Sequence, residues 1–488
     1  MIKALIKKVF GRKPKTQGPA ALVGMQTYPG IQLGIDPKDI SSAAYKTCET
    51  LQAGGFKAYV VGGGVRDAIL KLKPKDFDVA TNATPDEVRA LFRRSRIIGR
   101  RFQIVHVIFG RETIETSTFR ALQADALTDE HGRVLRDNEW GTQEDDAARR
   151  DFTVNALYYD PVADVVLDYH QGVRDIQSRT LRMIGDPATR YREDPVRMLR
   201  VARFAAKLDF KVEPGTRAPV AEMAPLLNNV PSARLFDEML KLFSSGKALA
   251  CIDELRAEGL HHGLLPMLDL VLELPEGQRF VEAALKRTDE RVAQDKPISP
   301  GFLFAALLWP QINARWQKIR DKGLALYPAL MEAIDSVLDE QAEQLAIQRR
   351  IVSDMREIWA IQPRFERRTG STSYRLLEHP RFRASYDFLL LRCESGELDM
   401  ALGEWWTAFI DADRDEREQL MEQANPRTRP GAGPAKKRRR RGSGGTGDSS
   451  NALDSVQADT GGGLENHGDA VNADSPLLGS SKRDGRDG

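Results

Sequence analysis

Residues 58–67 read AYVVGGGVRD and residues 75–80 read KDFDVA. The β-branched and aromatic run 58–61 predicts a strand, Gly62, Gly63 and Gly64 predict a tight connection, and Val65, Ile69 and Leu72 fall at helical spacing after it. A strand that enters a helix through glycines lets backbone N–H groups approach a phosphate, with Arg66 and the helix N-terminus adding positive potential. No Walker lysine follows, and a glycine triplet alone equally describes an ordinary strand-to-helix turn. Asp76 and Asp78 sharpen the reading. On a strand of period two they share one face while Phe77 and Val79 take the other. Neighbouring carboxylates repel unless a cation holds them, and two Mg²⁺ ions about 3.5–4 Å apart meet that need for in-line phosphoryl displacement. A solvated edge strand is the plain alternative for a D-x-D pattern taken alone.

A third carboxylate would complete such a cage, and two candidates are open. Glu115 lies in TIETST (113–118), where Thr113, Glu115 and Ser117 share a strand face that can adjoin the Asp76 strand. Asp151 lies in RRDFTVNAL (149–157), where Arg149 and Arg150 can clamp phosphates and Asp151 and Asn155, four apart on an expected helix face, can meet ribose hydroxyls. EDPVRMLRVARF (193–204) spaces Asp194, Arg197 and Arg200 by three, giving a helix face able to hydrogen-bond a nucleotide base without a template.

Outward from these motifs the texture changes along the chain. Residues 35–185 alternate short strand-like runs with helical patterns, including a capping box at Thr84, Pro85 and Glu87 and a hairpin of 104–109 with 113–118 around Gly110; this predicts an α+β domain. Residues 186–270 and 271–423 lose the strand signals and keep three- and four-residue apolar spacing, as at 195–208, 235–243 and 342–359, which predicts two helical regions. Residues 1–34 mix basic residues with Pro and Gly and predict a flexible extension. Residues 424–488 lack aromatics and predict a disordered tail.

Composition narrows the function classes. With 41% hydrophobic and 29% charged residues the 488-residue chain can bury more than one core. Its longest apolar run, 302–309, is far shorter than the roughly 20 residues that cross a bilayer, so no integral membrane segment and a cytoplasmic setting are expected. Three scattered cysteines exclude a disulfide framework and a zinc ribbon. The net charge of +2 conceals a basic run at the far end, Lys436, Lys437, Arg438, Arg439, Arg440 and Arg441, suited to sequence-independent attraction to RNA phosphates. Trp359 and Phe365, amid Arg356, Arg364, Arg367 and Arg368, are candidate stacking contacts for RNA; burial in the core is the alternative for the tryptophan.

GGGVRD, DFD, RRDFTVNAL, QGVRDI (171–176) and EDPVRMLRVARF occur in the order found in class II nucleotidyltransferases of the DNA polymerase β superfamily, which the chain resembles. That family holds CCA-adding enzymes and bacterial poly(A) polymerases. The resemblance implies a catalytic palm followed by an all-α neck, body and leg, two Mg²⁺ ions on Asp76 and Asp78, triphosphate contacts from Gly63 and Arg66, and nucleotide contacts from Asp151, Arg197 and Arg200. The flanking segments IIGRRFQIVHV (97–107), RLFDEMLKLF (234–243), MREIWAIQPRFERR (355–368) and FRASYDFLLLR (382–392) resemble the poly(A) polymerase branch. The implied activity is transfer of AMP from ATP to RNA 3′ ends, in the setting of RNA turnover and its decay machinery. A CCA-adding enzyme and a non-catalytic RNA-binding protein that keeps the fold are the rival readings.

Overall fold

The computed structural model describes residues 24–99, 103–121, 140–260 and 275–424. The basic cluster 436–441 and the tail 424–488, Ala424 aside, lie outside the described residues, as do residues 1–23 of the amino-terminal extension.

The strands expected at 58–61, around Asp78 and in the 104–118 hairpin form, together with others that the sequence reading did not name. They are β1 (Gln26–Pro29), β2 (Ala58–Val61), β3 (Asp78–Thr81), β4 (Ser95–Ile98), β5 (Ile104–Phe109), β6 (Glu112–Thr118), β7 (Leu157–Asp160) and β8 (Val165–Asp168). Among the described residues they join in one eight-stranded sheet of order β1-β8-β7-β2-β3-β6-β5-β4. Only β3 and β6 run parallel within it; the other neighbours are antiparallel. The sheet buries both faces. Val60, Val79, Val105, Val107 and Ile114 enter the main core with Cys48 and Leu51 of helix α1 (Ser42–Ala53). On the opposite face Val61, Ala80, Phe119 and Tyr158 make a smaller cluster with Ala147. The predicted capping box closes the start of a helix at Pro85–Leu91, where Thr84 and Glu87 satisfy each other's backbone N–H.

Two departures from the sequence reading concern the fold. Residues 24–34 are not a loose extension: β1 pairs with β8, Gly30 donates its N–H to the Asp164 carbonyl, and Ile31 N–H bonds the Asp164 carboxylate. The Pro29–Gly30 pair that reads as a linker is the tight end of an edge strand, and a Cβ on Gly30 would sit 2.1 Å from Asp164 Oδ1. The apolar periodicity of 342–359 is not one helix either. It is split between helices Leu326–Gln344 and Arg349–Ile361, because Leu345 leaves the helix in extended backbone and is 1% exposed.

Beyond the sheet the described chain is helical, from Pro187–Glu193 through Val196–Leu208 and Ser232–Phe243 to Arg414–Ala424. The run 302–309 lies in helix Pro300–Asp321, where residues 303–309 are all buried. No described helix is long and apolar enough to cross a membrane. Cys48, Cys251 and Cys393 are buried free thiols. Trp359 and Phe365 are both fully buried, with Trp359 Nε1 donating to the Ala305 carbonyl, so neither ring is offered for stacking on RNA. Rings of this size contribute most to stability when removed from water, and tertiary packing decides that over the surrounding arginines.

Candidate active site

The glycine connection opens helix α2 (Gly63–Ile69). Gly62 has φ 71°, a conformation that a side chain strains, and a Cβ there would stand 3.3 Å from Arg150 Nη1. Arg66, in the last turn of α2, is 2% exposed and points back into the protein: Nε and Nη2 donate to Asp67 Oδ1 at 2.8 and 2.6 Å, and Nη1 donates to Asn155 Oδ1 at 2.6 Å.

β3 begins at Asp78, so Asp76 lies in the segment leading into it rather than on the strand. The alternation nevertheless holds, since Asp76 and Asp78 are exposed while Phe77 and Val79 are buried. Antiparallel pairing sets Asp78 opposite Val61, at the end of β2 where the glycines start, and parallel pairing sets it opposite Glu115. Partial burial pushes the Asp78 carboxyl up to about 6, with Glu115 and Asp76 adding to the rise and Arg150 opposing it. Glu115 also lies 3.6 Å from His106 Nε2. Among the described residues no three His, Cys, Asp or Glu side chains are drawn together as a closed metal cluster. Three mutually repelling, solvent-facing carboxylates are still the donor set that a hard, oxygen-seeking divalent cation requires.

The segment after Arg150 is not the α-helix that its spacing suggests. Phe152 bridges to Met183 and residues Thr153–Asn155 form a 3₁₀ turn. The turn still brings Asn155 Nδ2 to Asp151 Oδ1 at 3.1 Å. Asp151 Oδ2 accepts from Arg200 Nε and Nη2 at 2.8 and 2.5 Å, and Phe152 N–H bonds Oδ1. Burial alone would raise the Asp151 carboxyl; Arg200, Asn155 and the backbone together hold it below the ordinary carboxylate range. One chain of hydrogen bonds therefore runs from Arg66 through Asn155 and Asp151 to Arg200, tying the glycine turn to helix α3 (Val196–Leu208).

The other predicted residues are also engaged. Asp194 precedes α3 and accepts from Arg234 at 2.6 Å, while Arg197 bonds Glu193 and the Arg190 carbonyl, both at 2.8 Å. Arg190 donates to the Arg149 and Arg150 carbonyls. Arg150 donates to Asp146 Oδ2 at 3.1 Å and to the Tyr158 hydroxyl at 3.2 Å, and that hydroxyl donates to Asp146 at 2.6 Å. Burial works against the Arg150 charge, yet Tyr158 and Asp146 hold it firmly protonated beside Gly62 and Asp78. Sequence reasoning missed Asp146, Tyr158 and Arg190. The four-residue spacing of Asp146 and Arg150 was a usable signal for an ion pair. Tyr158, on β7, offered none.

Family models match residues 58–182 as "Poly A polymerase head domain", 209–272 as "Probable RNA and SrmB- binding site of polymerase A" and 322–443 as "Polymerase A arginine-rich C-terminus". Poly(A) polymerase I of Haemophilus influenzae is 45% identical over 404 residues, which are 80% of this chain and 89% of that protein. The Salmonella typhi enzyme of the same name is 42% identical over 453 residues, 89% of this chain and 95% of that protein. A CCA-adding enzyme of Bacillus licheniformis is 35% identical over 235 residues, 48% of this chain and 57% of that protein. A solved "tRNA-processing enzyme (apo form I)" shares the fold at TM-score 0.51 and 19% identity, covering 80% of this chain and 99% of that one.

A sheet carrying facing carboxylates beside a glycine turn, followed by an arginine-bearing helix, defines a template-independent nucleotidyltransferase. CCA-adding enzymes are distant relatives within that class. The chain belongs to the bacterial poly(A) polymerase family and is a polynucleotide adenylyltransferase, adding AMP from ATP to RNA 3′ ends.

Proposed function

We propose that Asp76, Asp78 and Glu115 hold two Mg²⁺ ions at which an RNA 3′-hydroxyl displaces pyrophosphate from ATP. The observation that carries this reading is the register that sets Asp78 opposite Glu115 at the mouth of the glycine turn. When bound, the ions supply Lewis-acid stabilisation of the attacking and leaving oxygens. Glu115 is favoured over Asp151 as the third carboxylate, because both oxygens of Asp151 are already committed to Arg200, Asn155 and Phe152 N–H. Asp151 acts as a positioning residue that fixes Arg200.

Gly62 and Gly63 admit the triphosphate close to the backbone, and Arg66, Arg149 and Arg150 balance its charge. Asp194, just before α3, and Arg197 and Arg200 within it select adenine. The helical regions 186–270 and 271–423 and the basic cluster 436–441 hold RNA through its phosphates, in a cytoplasmic setting that suits three unpaired thiols. RNA-decay proteins are the partner class that this activity calls for. Incubation of purified protein with an unstructured RNA tests the assignment: ATP alone should give long A tracts. A halt after one to three additions that needs CTP and a tRNA end would replace it with CCA addition.

A further inference from the structure

The pairing of Asp78 with Glu115 is the start of a longer row. Glu115 lies opposite His106 on β5, and His106 lies opposite Arg96 on β4, the outermost strand of the sheet. Residues directly opposite on neighbouring strands share one face, so Asp78, Glu115, His106 and Arg96 stand in line on the face that also carries Val61. With strands about 4.8 Å apart, the Arg96 backbone lies about 10 Å beyond that of Glu115. Over β2, β3 and β7 this face is filled by Val61, Ala80 and Tyr158. From β6 outward it is open. Among the described residues Arg96, Ile98, Ile104, His106 and Ile108 on this side are all half-buried or exposed, whereas Val105, Val107, Ile114 and Thr116 on the other side are all buried. Ile98 is 41% exposed.

The reaction determines what can lie there. In-line displacement sets the attacking hydroxyl opposite the departing pyrophosphate. Gly62 directly follows Val61, the partner of Asp78 on β2, so a triphosphate at the glycine turn is on the β2 side of the carboxylates. The hydroxyl must then arrive from the β6 side, over β5 and β4. The open face has the character that an RNA end requires, with isoleucines against which ribose and base can pack and cations at the outer rim. Arg93, Arg94 and Arg96 are exposed, and among the described residues their guanidiniums make no ion pair and no hydrogen bond. Charge that only guards a sheet edge against pairing serves in either sign. Residues 93–98 carry three arginines and no acid, which selects an anion.

We propose that the open face of β4, β5 and β6 is the track on which the 3′-terminal nucleotides of the RNA primer lie, with Arg96 holding one of the last backbone phosphates. The inference rests on the active-site assignment above. Its test is steady-state kinetics of Arg96→Ala, Arg96→Lys and Arg96→Glu on the full chain, with KM for an oligoadenylate primer, KM for ATP, the melting temperature and the oligomeric mass read together. Loss of one charge-assisted phosphate contact should raise KM for primer about tenfold in Arg96→Ala and further in Arg96→Glu, while KM for ATP stays within about twofold and melting is unchanged. Lysine should restore most of it. Uncharged methylphosphonate linkages, placed one at a time, locate the phosphate: one position among the last few linkages should raise KM for wild type and add nothing in Arg96→Ala. Primer KM within twofold of wild type in both Arg96→Ala and Arg96→Glu would overturn the proposal, as would an effect tied to linkages remote from the 3′ end or a rise in both constants with lowered melting. A change of oligomeric mass in Arg96→Glu with unaltered primer kinetics would give the face to a second copy of the chain and overturn it too. Asp76→Ala run in parallel separates the two levels. Retained incorporation in that variant overturns the active-site assignment, whereas an inactive Asp76→Ala beside a wild-type-like Arg96→Glu overturns only the track.

Discussion

At the scale of single residues, the site works by arranging charges that the free protein tolerates poorly. Asp78, pushed up to about 6, is the plainest case. Its protonated form neither repels its neighbours nor accepts a cation. Below about pH 6 kcat/KM for ATP should therefore fall about tenfold per unit, and raising Mg²⁺ should move the midpoint down, because cation and proton compete. The stability sign follows from the same shift. A carboxyl whose folded pKa lies above its unfolded value of about 3.9 weakens the fold as pH rises between the two. Asp78→Asn should accordingly melt higher than wild type at pH 7.5 without metal while losing activity. Lower melting would mean that Asp78 is held by contacts rather than strained by charge. The reverse holds for Asp151 and Arg200. Removing Arg200 strands an enclosed carboxylate, and Arg200→Met should cost roughly 2–3 kcal/mol in urea unfolding, toward the low end for a buried pair because Arg200 is partly exposed.

At the scale of elements, the glycine turn and the sheet edge each make a separate demand. Gly62 combines φ 71° with the close approach of Arg150, so Gly62→Ala should lose about 1–3 kcal/mol and raise KM for ATP by displacing that guanidinium. An unchanged KM would separate the turn from phosphate binding. Much at this level was legible in sequence. The hairpin, the capping box, the β2 strand and the D-x-D alternation follow from local periods and turn chemistry, and the structure has them. What failed depended on distant partners. Pro29 and Gly30 read as linker because β8, which pairs with their strand, lies more than a hundred residues away. Asp151 and Asn155 kept their meeting but lost their helix, since the Phe152–Met183 bridge outweighs local spacing. Trp359 and Phe365 read as candidate RNA contacts among arginines, with burial the alternative for Trp359, and packing puts both inside. Deletion of residues 1–34 should lower the melting temperature by exposing the Val165–Asp168 edge, an outcome that a dispensable extension would not give.

At the scale of the whole molecule, three sequence motifs distant in the chain become one line of hydrogen bonds, from Arg66 on the glycine turn through Asn155 and Asp151 to Arg200 on α3. The order of the motifs in the sequence announced a family; the line explains why they belong together, since it holds the glycine turn and helix α3 in one frame. Truncation after Gln423 removes the basic run 427–441, including the six cations of 436–441, so RNA binding should weaken and the slope of log K against log salt should flatten by up to about 6. An unaltered slope would assign that cluster to another purpose.

The paired acids at the mouth of the glycine turn carry the account, and one variant addresses them directly. Purified Asp76→Ala, given unstructured RNA, radiolabelled ATP and a Mg²⁺ titration alongside wild type, should incorporate no AMP at any magnesium concentration while binding RNA with undiminished affinity. Incorporation at the wild-type rate, with the same magnesium dependence, would contradict the placement of catalysis at these carboxylates.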